Sequence, residues 1–183
     1  MIRCFIAINL PQHIKSEFEQ IQADLRKQNK GLKINWVKKD LAHINIHFLG
    51  DLDENVVKLL KQNLNALQGN FGPISLYLTG VGAFPSLKNP RILFLGVRQK
   101  QDSLLIDLYN KISQILKELK LEVETRPFIA HVTLGRVKDD THKVKFTGEE
   151  MKDIEFKVDS FKLMQSELTP EGPKYKTISS TRL

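Results

Sequence analysis

Sulfur and long apolar runs are what this 183-residue chain has least of. It holds one cysteine, Cys4, which excludes an internal disulfide and a zinc site built on four thiolates. No stretch approaches the ~20 apolar residues that cross a bilayer, so no membrane span is expected. The segment Met1–Leu10 is apolar but broken by Arg3 and Asn9. It lacks the basic start, long apolar centre and small-residue cleavage site of a secretory signal, and the expected location is the cytoplasm. No Pro/Ser-rich tract or block of like charge marks a linker, so residues 1–183 are expected to form a single domain. A chain of this size buries roughly 70% of its extended surface, enough for a true core.

What is present is an ordinary globular composition, 41% hydrophobic and 27% charged. The net charge is +7, from 28 Lys and Arg against 21 Asp and Glu. A basic balance suits polyanionic partners such as nucleic acid or nucleotides, and it equally suits a solvated surface rich in lysine.

Ile2, Cys4, Ile6, Ile8 and Leu10 alternate with Arg3, Phe5, Ala7 and Asn9, the period-two pattern of a strand. Pro11 then opens a helix with an apolar stripe of Ile14, Phe18, Ile21 and Leu25, stopped near Gly31. Short strands are expected over 34–37 and 42–49. Asn55 is a candidate N-cap for a second helix striped by Val56, Leu60, Leu64 and Leu67. Extended segments at 74–80 and 91–98 flank a stretch, Gly80–Pro90, whose Gly and Pro content reads as a loop. Ser103 begins a third helix, and strands near 129–136, 153–168 and 175–181 complete the chain. Several strand-to-strand connections are too short for a helical crossover, so much of the sheet must be antiparallel. The expected class is α+β, with helices on the outer faces.

Two segments repeat a pattern. His43-Ile44-Asn45-Ile46 and His131-Val132-Thr133-Leu134 each read histidine, aliphatic, small hydrogen-bonder, aliphatic. Their histidines lie 88 residues apart, near half the chain, which points to a remote internal duplication. In a strand, residues i and i+2 share a face, so His43 with Asn45 and His131 with Thr133 would face a groove, while the aliphatics enter the core. A lone strand histidine is usually structural; a matched pair suits proton transfer on a phosphate ester. One neutral imidazole takes a proton from the nucleophile and one charged imidazole gives a proton to the leaving oxygen. Asn45 and Thr133 would donate to phosphate oxygens. His43 and His47, four apart, would stand ~13 Å apart in a strand, too far to share one ion, and no acidic or thiol cluster adjoins them, so no metal and no cofactor are expected. Cys4 belongs to the apolar set of its strand and reads as a buried, inert thiol.

At these residues the chain resembles the two-histidine (2H) phosphoesterases, and among them the bacterial and archaeal RNA 2′,3′-cyclic phosphodiesterases, formerly called 2′-5′ RNA ligases. The likeness spans nearly the whole chain: Arg3–Ile8, Trp36-Val37 with 43–50, Gly80–Pro85 as a central loop, Arg126–Arg136, and Ser166–Pro173 as a C-terminal hairpin. Asn45 stands where that family usually has Thr, and His47 where related sequences often carry Lys. The resemblance implies a bilobal, pseudo-two-fold duplication in which mostly antiparallel sheets line a central groove. It implies metal-free hydrolysis of RNA ends or nucleotides bearing a 2′,3′-cyclic phosphate, leaving a 2′-phosphomonoester. By analogy His43 is the general acid and His131 the general base. Some relatives also join RNA ends through a 2′-5′ linkage, the same chemistry with a ribose hydroxyl as the nucleophile. A non-catalytic RNA-end or nucleotide-binding module using the same groove is the alternative. Nothing requires more than a monomer.

Further candidates are expected around the groove. Arg136 lies on the wrong face of a regular strand, unless a bulge at Gly135 turns it inward; a surface position is the other reading. His47, taken as sharing the face of His43, is either a substrate contact or an exposed groove residue. Phe84, in the Gly/Pro loop, is the preferred base-stacking candidate, with Trp36 and Phe5 assigned to the core. Arg126, Lys38 and Lys39 flank the motifs as candidates for attracting the RNA backbone.

Overall fold

The computed structural model describes residues 1–100, 103–138, 144–145 and 151–183. In chain order these form β1 (Ile2–Asn9), α1 (Gln12–Gln28), β2 (Ile34–Trp36), β3 (His43–Leu52), α2 (Glu54–Asn65), β4 (Ile74–Ser86), β5 (Asn89–Gln99), α3 (Leu104–Glu118), β6 (His131–Val137), β7 (Ile154–Val158), β8 (Ser160–Thr169) and β9 (Gly172–Arg182). The class is α+β, and every strand pairing is antiparallel.

Local chemistry explains most boundaries. Pro11 precedes α1, where its missing N–H costs nothing. Asn29 ends that helix by donating its carboxamide to the Leu25 carbonyl at 2.8 Å, and Gly31 follows at φ +95°. The N-cap of α2 is Asp53 rather than Asn55: its carboxylate accepts from the Asn55 N–H at 2.9 Å. At α3 the Gln99 carboxamide oxygen accepts from the Leu105 N–H at 2.6 Å, a cap from outside the helix.

Two expectations give way. Gly80–Pro90 is not a loop but the paired ends of β4 and β5, running from Val81↔Leu95 to Ser86↔Asn89 with one register shift between Phe84 and Pro85. Cross-strand pairing overrides the turn signal of its Gly and Pro residues. The extended run 153–168 is two strands, β7 and β8, divided at Asp159.

The strands form one sheet in the order β7-β4-β5-β6-β3-β1-β8-β9, with β2 laid beside β6. The halves meet at the centre, where Ile44↔Val132 is the one Cα pair that joins β3 to β6. Asp159 alone separates β7 from β8, which stand six places apart in that order. Six strand spacings on a flat sheet span about 29 Å, while two Cα steps reach about 7.6 Å at most. The sheet is therefore strongly curled.

One face of the sheet carries the three helices and the main core. Ile6, Ile8, Ile44, Leu95 and Val132 meet Phe18, Leu60, Leu108 and Ile112 there. The other face carries a small cluster of Phe5, Ala7 and Met164, with Tyr175 packed against it. Cys4 is wholly buried. Burial, assisted by the charge of Asp51, pushes its thiol up to about 11, so it stays protonated and inert. Among the described residues no helix is long and apolar enough to cross a membrane.

Duplication shows in the register. Ile6 pairs with His47 and Ala7 with Asn45, leaving Ile46 as an extra residue in β3. Leu93 pairs with Gly135 and Phe94 with Thr133, leaving Leu134 as an extra residue in β6. Both central strands carry a bulge at the same step after their histidine.

Candidate active site

His43 and His131 open β3 and β6, and both line a cleft of about 870 Å³ on the face opposite the helices. Their surroundings match. The Nδ1 of His43 lies 2.7 Å from the Leu41 carbonyl and the Nδ1 of His131 lies 2.6 Å from the Ile129 carbonyl. A carbonyl oxygen only accepts, so each Nδ1 carries the proton. Each Nε2 is left to take or give another, and among the described residues neither has a partner. Aromatic rings hold both imidazoles. Phe5 and Tyr175 stand 5.1 and 5.6 Å from His43, and Phe84 and Phe94 stand 5.1 and 5.3 Å from His131. Gly82 makes this possible, since a Cβ there would lie 2.5 Å from the Phe94 ring. Burial is the main force holding His43 below the ordinary imidazole range; its bond to Leu41 opposes this, and the charge of His131 adds to it.

Asn45 and Thr133 also line the cleft, as the period of two requires. Arg136 lines it too. The bulge at Leu134 buries Leu134 and Gly135 in succession and brings Arg136 round to the cleft. The same device defeats the expectation for His47. With Ile46 bulged, Ile46 and His47 are both buried, and Phe48 takes the cleft position instead. His47 points to the helix side, stacked on Tyr109 at 4.5 Å, with its Nε2 2.9 Å from the Ser113 hydroxyl. Burial lowers its pKa. It is not a cleft residue. Phe84 lies in β4, stacked on Phe94 at 4.4 Å and set edge-on to His131; it supports a histidine from behind rather than presenting a free ring from a loop.

Several cleft residues escaped the sequence reading. Tyr175, from β9, reaches His43, and its phenol is pushed up by burial while the nearby charge of Arg136 pulls it down. Phe48, 56% exposed, carries the Arg3 guanidinium 4.9 Å from its ring centre. It occupies in β3 the place of Arg136 in β6, a correspondence the repeat already contained. Phe5 and Trp36, assigned to the core, both line the cleft, although Phe5 is also buried. Of the three flanking cations, Lys38 lines the cleft. Lys39 is bound to Glu19 at 2.7 Å and Arg126 to Glu124.

Buried polar side chains on the helices pin both bulges. Gln22 of α1 donates to the carbonyls of Leu134 and Val37 at 2.9 and 2.8 Å. Its carboxamide oxygen accepts from Arg26 at 3.0 Å. Ser113 of α3 meets His47, the residue after the other bulge. Gln22 and Ser113 stand at matching places, since Ile14, Phe18 and Leu25 of α1 correspond to Leu105, Tyr109 and Leu116 of α3.

The arrangement offers two imidazoles, two neutral hydrogen-bonders and the guanidinium groups of Arg136 and Arg26 along one cleft, a set suited to an anionic ester. Among the described residues no three His, Cys, Asp or Glu side chains are grouped to hold a metal ion.

Comparison with known proteins finds phosphoesterases. The family model described as LigT-like phosphoesterase matches residues 8–94 and again 95–175. An RNA 2′,3′-cyclic phosphodiesterase of Methanocaldococcus jannaschii is 35% identical over 182 residues, covering 97% of this chain and 98% of that one. One from Thermotoga maritima is 31% identical, covering 97% and 93%. The fold is also that of a crystal structure of E. coli LigT complexed with 3′-AMP, with a TM-score of 0.83 at 24% identity, covering 100% of this chain and 98% of that one.

Proposed function

The chain belongs to the LigT-like phosphoesterase family, and from that premise we propose that it hydrolyses the 2′,3′-cyclic phosphate at RNA ends to a 2′-phosphomonoester, using His43 and His131 and no metal ion. The observation that carries the proposal is the matched tethering of the two imidazoles. Each Nδ1 proton is committed to a main-chain carbonyl, which leaves each Nε2 available for proton transfer on a residue that lines the cleft.

In the proposed reaction the Nε2 of His131 takes a proton from water as the water oxygen bonds to phosphorus. The bond from phosphorus to the 3′ oxygen breaks, and the Nε2 of His43 gives that oxygen its proton. Asn45, Thr133 and Arg136 hold the equatorial oxygens as charge accumulates. His43 must be protonated to act, and burial disfavours that in the empty cleft. The phosphate anion supplies the missing counter-charge, so the acid is charged when substrate arrives. Run in the same direction with a ribose 5′ hydroxyl in place of water, the same steps form a 2′-5′ linkage, and run backwards they cleave it.

The test is phosphorus NMR of a short oligoribonucleotide ending in a 2′,3′-cyclic phosphate, with EDTA present. Conversion to the 2′-phosphate is expected, and His43→Ala or His131→Ala lowers kcat by about 10²–10⁴. A 3′-phosphate product, or full activity in either variant, overturns the assignment. Tight binding without conversion would make the cleft a holding site for RNA ends.

A further inference from the structure

The cleft does not end at the histidines. β3 and β6 run antiparallel through Ile44↔Val132, so Phe48 and Arg136 mark opposite ends. At the Phe48 end no later residue of β3 lines the cleft, whereas beside Arg136 the lining widens across β2, whose Asn35 and Trp36 pair with Arg136 and Gly135, and on to Arg26. There the Arg26 guanidinium lies 5.3 Å from the centre of the Trp36 ring, a cationic and aromatic wall of the kind on which nucleic-acid bases stack.

That wall is built. Gln22, 6% exposed, accepts from Arg26 while it donates to Val37, the neighbour of Trp36, and to Leu134 at the bulge. One carboxamide thus fixes the guanidinium, the strand bearing the indole and the turn that presents Arg136. Gly135 gives the ring its room, because a Cβ there would lie 3.1 Å from Trp36 Cε3 and 2.9 Å from Ile34 Cγ2. The charged side chains lining the cleft suit a polyanion: Arg26, Lys38 and Arg136 against Glu171.

We propose that this end of the cleft is a subsite for the ribonucleotide that precedes the cyclic-phosphate end. Its base packs against the Trp36–Arg26 pair and its linking phosphate lies toward Arg136. This rests on the cyclic-phosphate reading of the histidine pair, and it makes an oligoribonucleotide end, rather than a cyclic mononucleotide, the preferred substrate.

The experiment compares kcat/KM for a 2′,3′-cyclic mononucleotide with that for a dinucleotide bearing the same end. Stacking one base contributes about 1–3 kcal/mol, so the dinucleotide is expected to be favoured about 5- to 150-fold. Trp36→Ala, and separately Arg26→Ala at an exposed side chain, bring that ratio toward one. Trp36 is the chain's one tryptophan, which gives a readout independent of turnover. Indole fluorescence is expected to be quenched saturably by a dinucleotide 2′-phosphate and little by the mononucleotide 2′-phosphate. A wild-type ratio near one, unaltered ratios in both variants, or equal quenching by the two ligands overturns the subsite. If neither cyclic substrate is hydrolysed, the catalytic reading fails and the fluorescence titration still decides the subsite.

Discussion

His43 and His131 share a tether and a pair of flanking aromatic rings. His43 lies between Phe5 and Tyr175, and burial lowers its pKa from the ordinary imidazole value. An anion seated between the imidazoles opposes that shift, which gives a prediction with a sign. The His43 pKa, followed by imidazole proton NMR, rises when inorganic phosphate is added. In the rate profile, loss of the acid shapes the basic limb, so that limb lies at higher pH for kcat, which reports the bound state, than for kcat/KM, which reports the free enzyme. Coincident basic limbs would remove His43 from the role of acid. At this scale the sequence was informative for residues close to each histidine. His43, Asn45, His131 and Thr133 follow from the period of two. Beyond the bulges that period inverts the faces, and a glycine signals the bulge in only one copy. Gly135 pointed to the turn that brings Arg136 inward, while Ile46 gave no hint that His47 would turn away and Phe48 would replace it. Tyr175 could not be read at all, because its place beside His43 depends on how β9 folds back.

The pins matter at the level of elements. A bulge leaves an unpaired step in the ladder, and the Leu134 carbonyl is satisfied from outside it, by the Val37 N–H at 2.9 Å and by Gln22. Gln22→Ala is expected to leave the helix in place and to free the Leu134–Arg136 turn. KM should rise several-fold or more while kcat changes less, if Arg136 acts as proposed, chiefly by holding the phosphate and transferring no proton. Gln22→Glu, which keeps an acceptor for Arg26 but loses the donor to both carbonyls, should not restore KM. Equal falls in kcat for both variants, with KM unchanged, would contradict this role. The helices were legible because their apolar stripes are long and regular; the polar residue within each stripe was not. Gln22 and Ser113 look like breaks in the pattern until the strands they serve are seen. The segment Gly80–Pro90 failed for the opposite reason, because long-range pairing with β5 outweighed a strong local turn signal.

For the whole molecule, two histidines make stability depend on pH. His43 and His47 are both held below the ordinary imidazole range in the folded state by burial. As pH falls below about 6.5, the unfolded chain takes up those protons and the folded chain does not, so stability falls. The urea midpoint is therefore expected to be lower at pH 5.5 than at pH 7.5, a window above the range where ordinary carboxylates titrate. His47→Gln, which keeps a hydrogen-bonding side chain beside Ser113, should shrink that difference. A midpoint identical at both pH values would show that neither burial is felt globally.

Most folds absorb gained or lost residues in the tight links between strands, because those links join neighbours that hold each other regardless. Val158-Asp159-Ser160 reverses that relation, since the shortest link ties strands that lie far apart across the sheet. Tolerance to insertion should be reversed with it. Three glycines placed after Asp159 are expected to lower thermal stability and activity more than the same three placed between Leu87 and Lys88, at the exposed tip joining β4 to β5. Among descendants of this sequence, changes of length should then collect at that hairpin tip and be purged at Asp159, leaving one residue there as the most tightly held spacing in the gene.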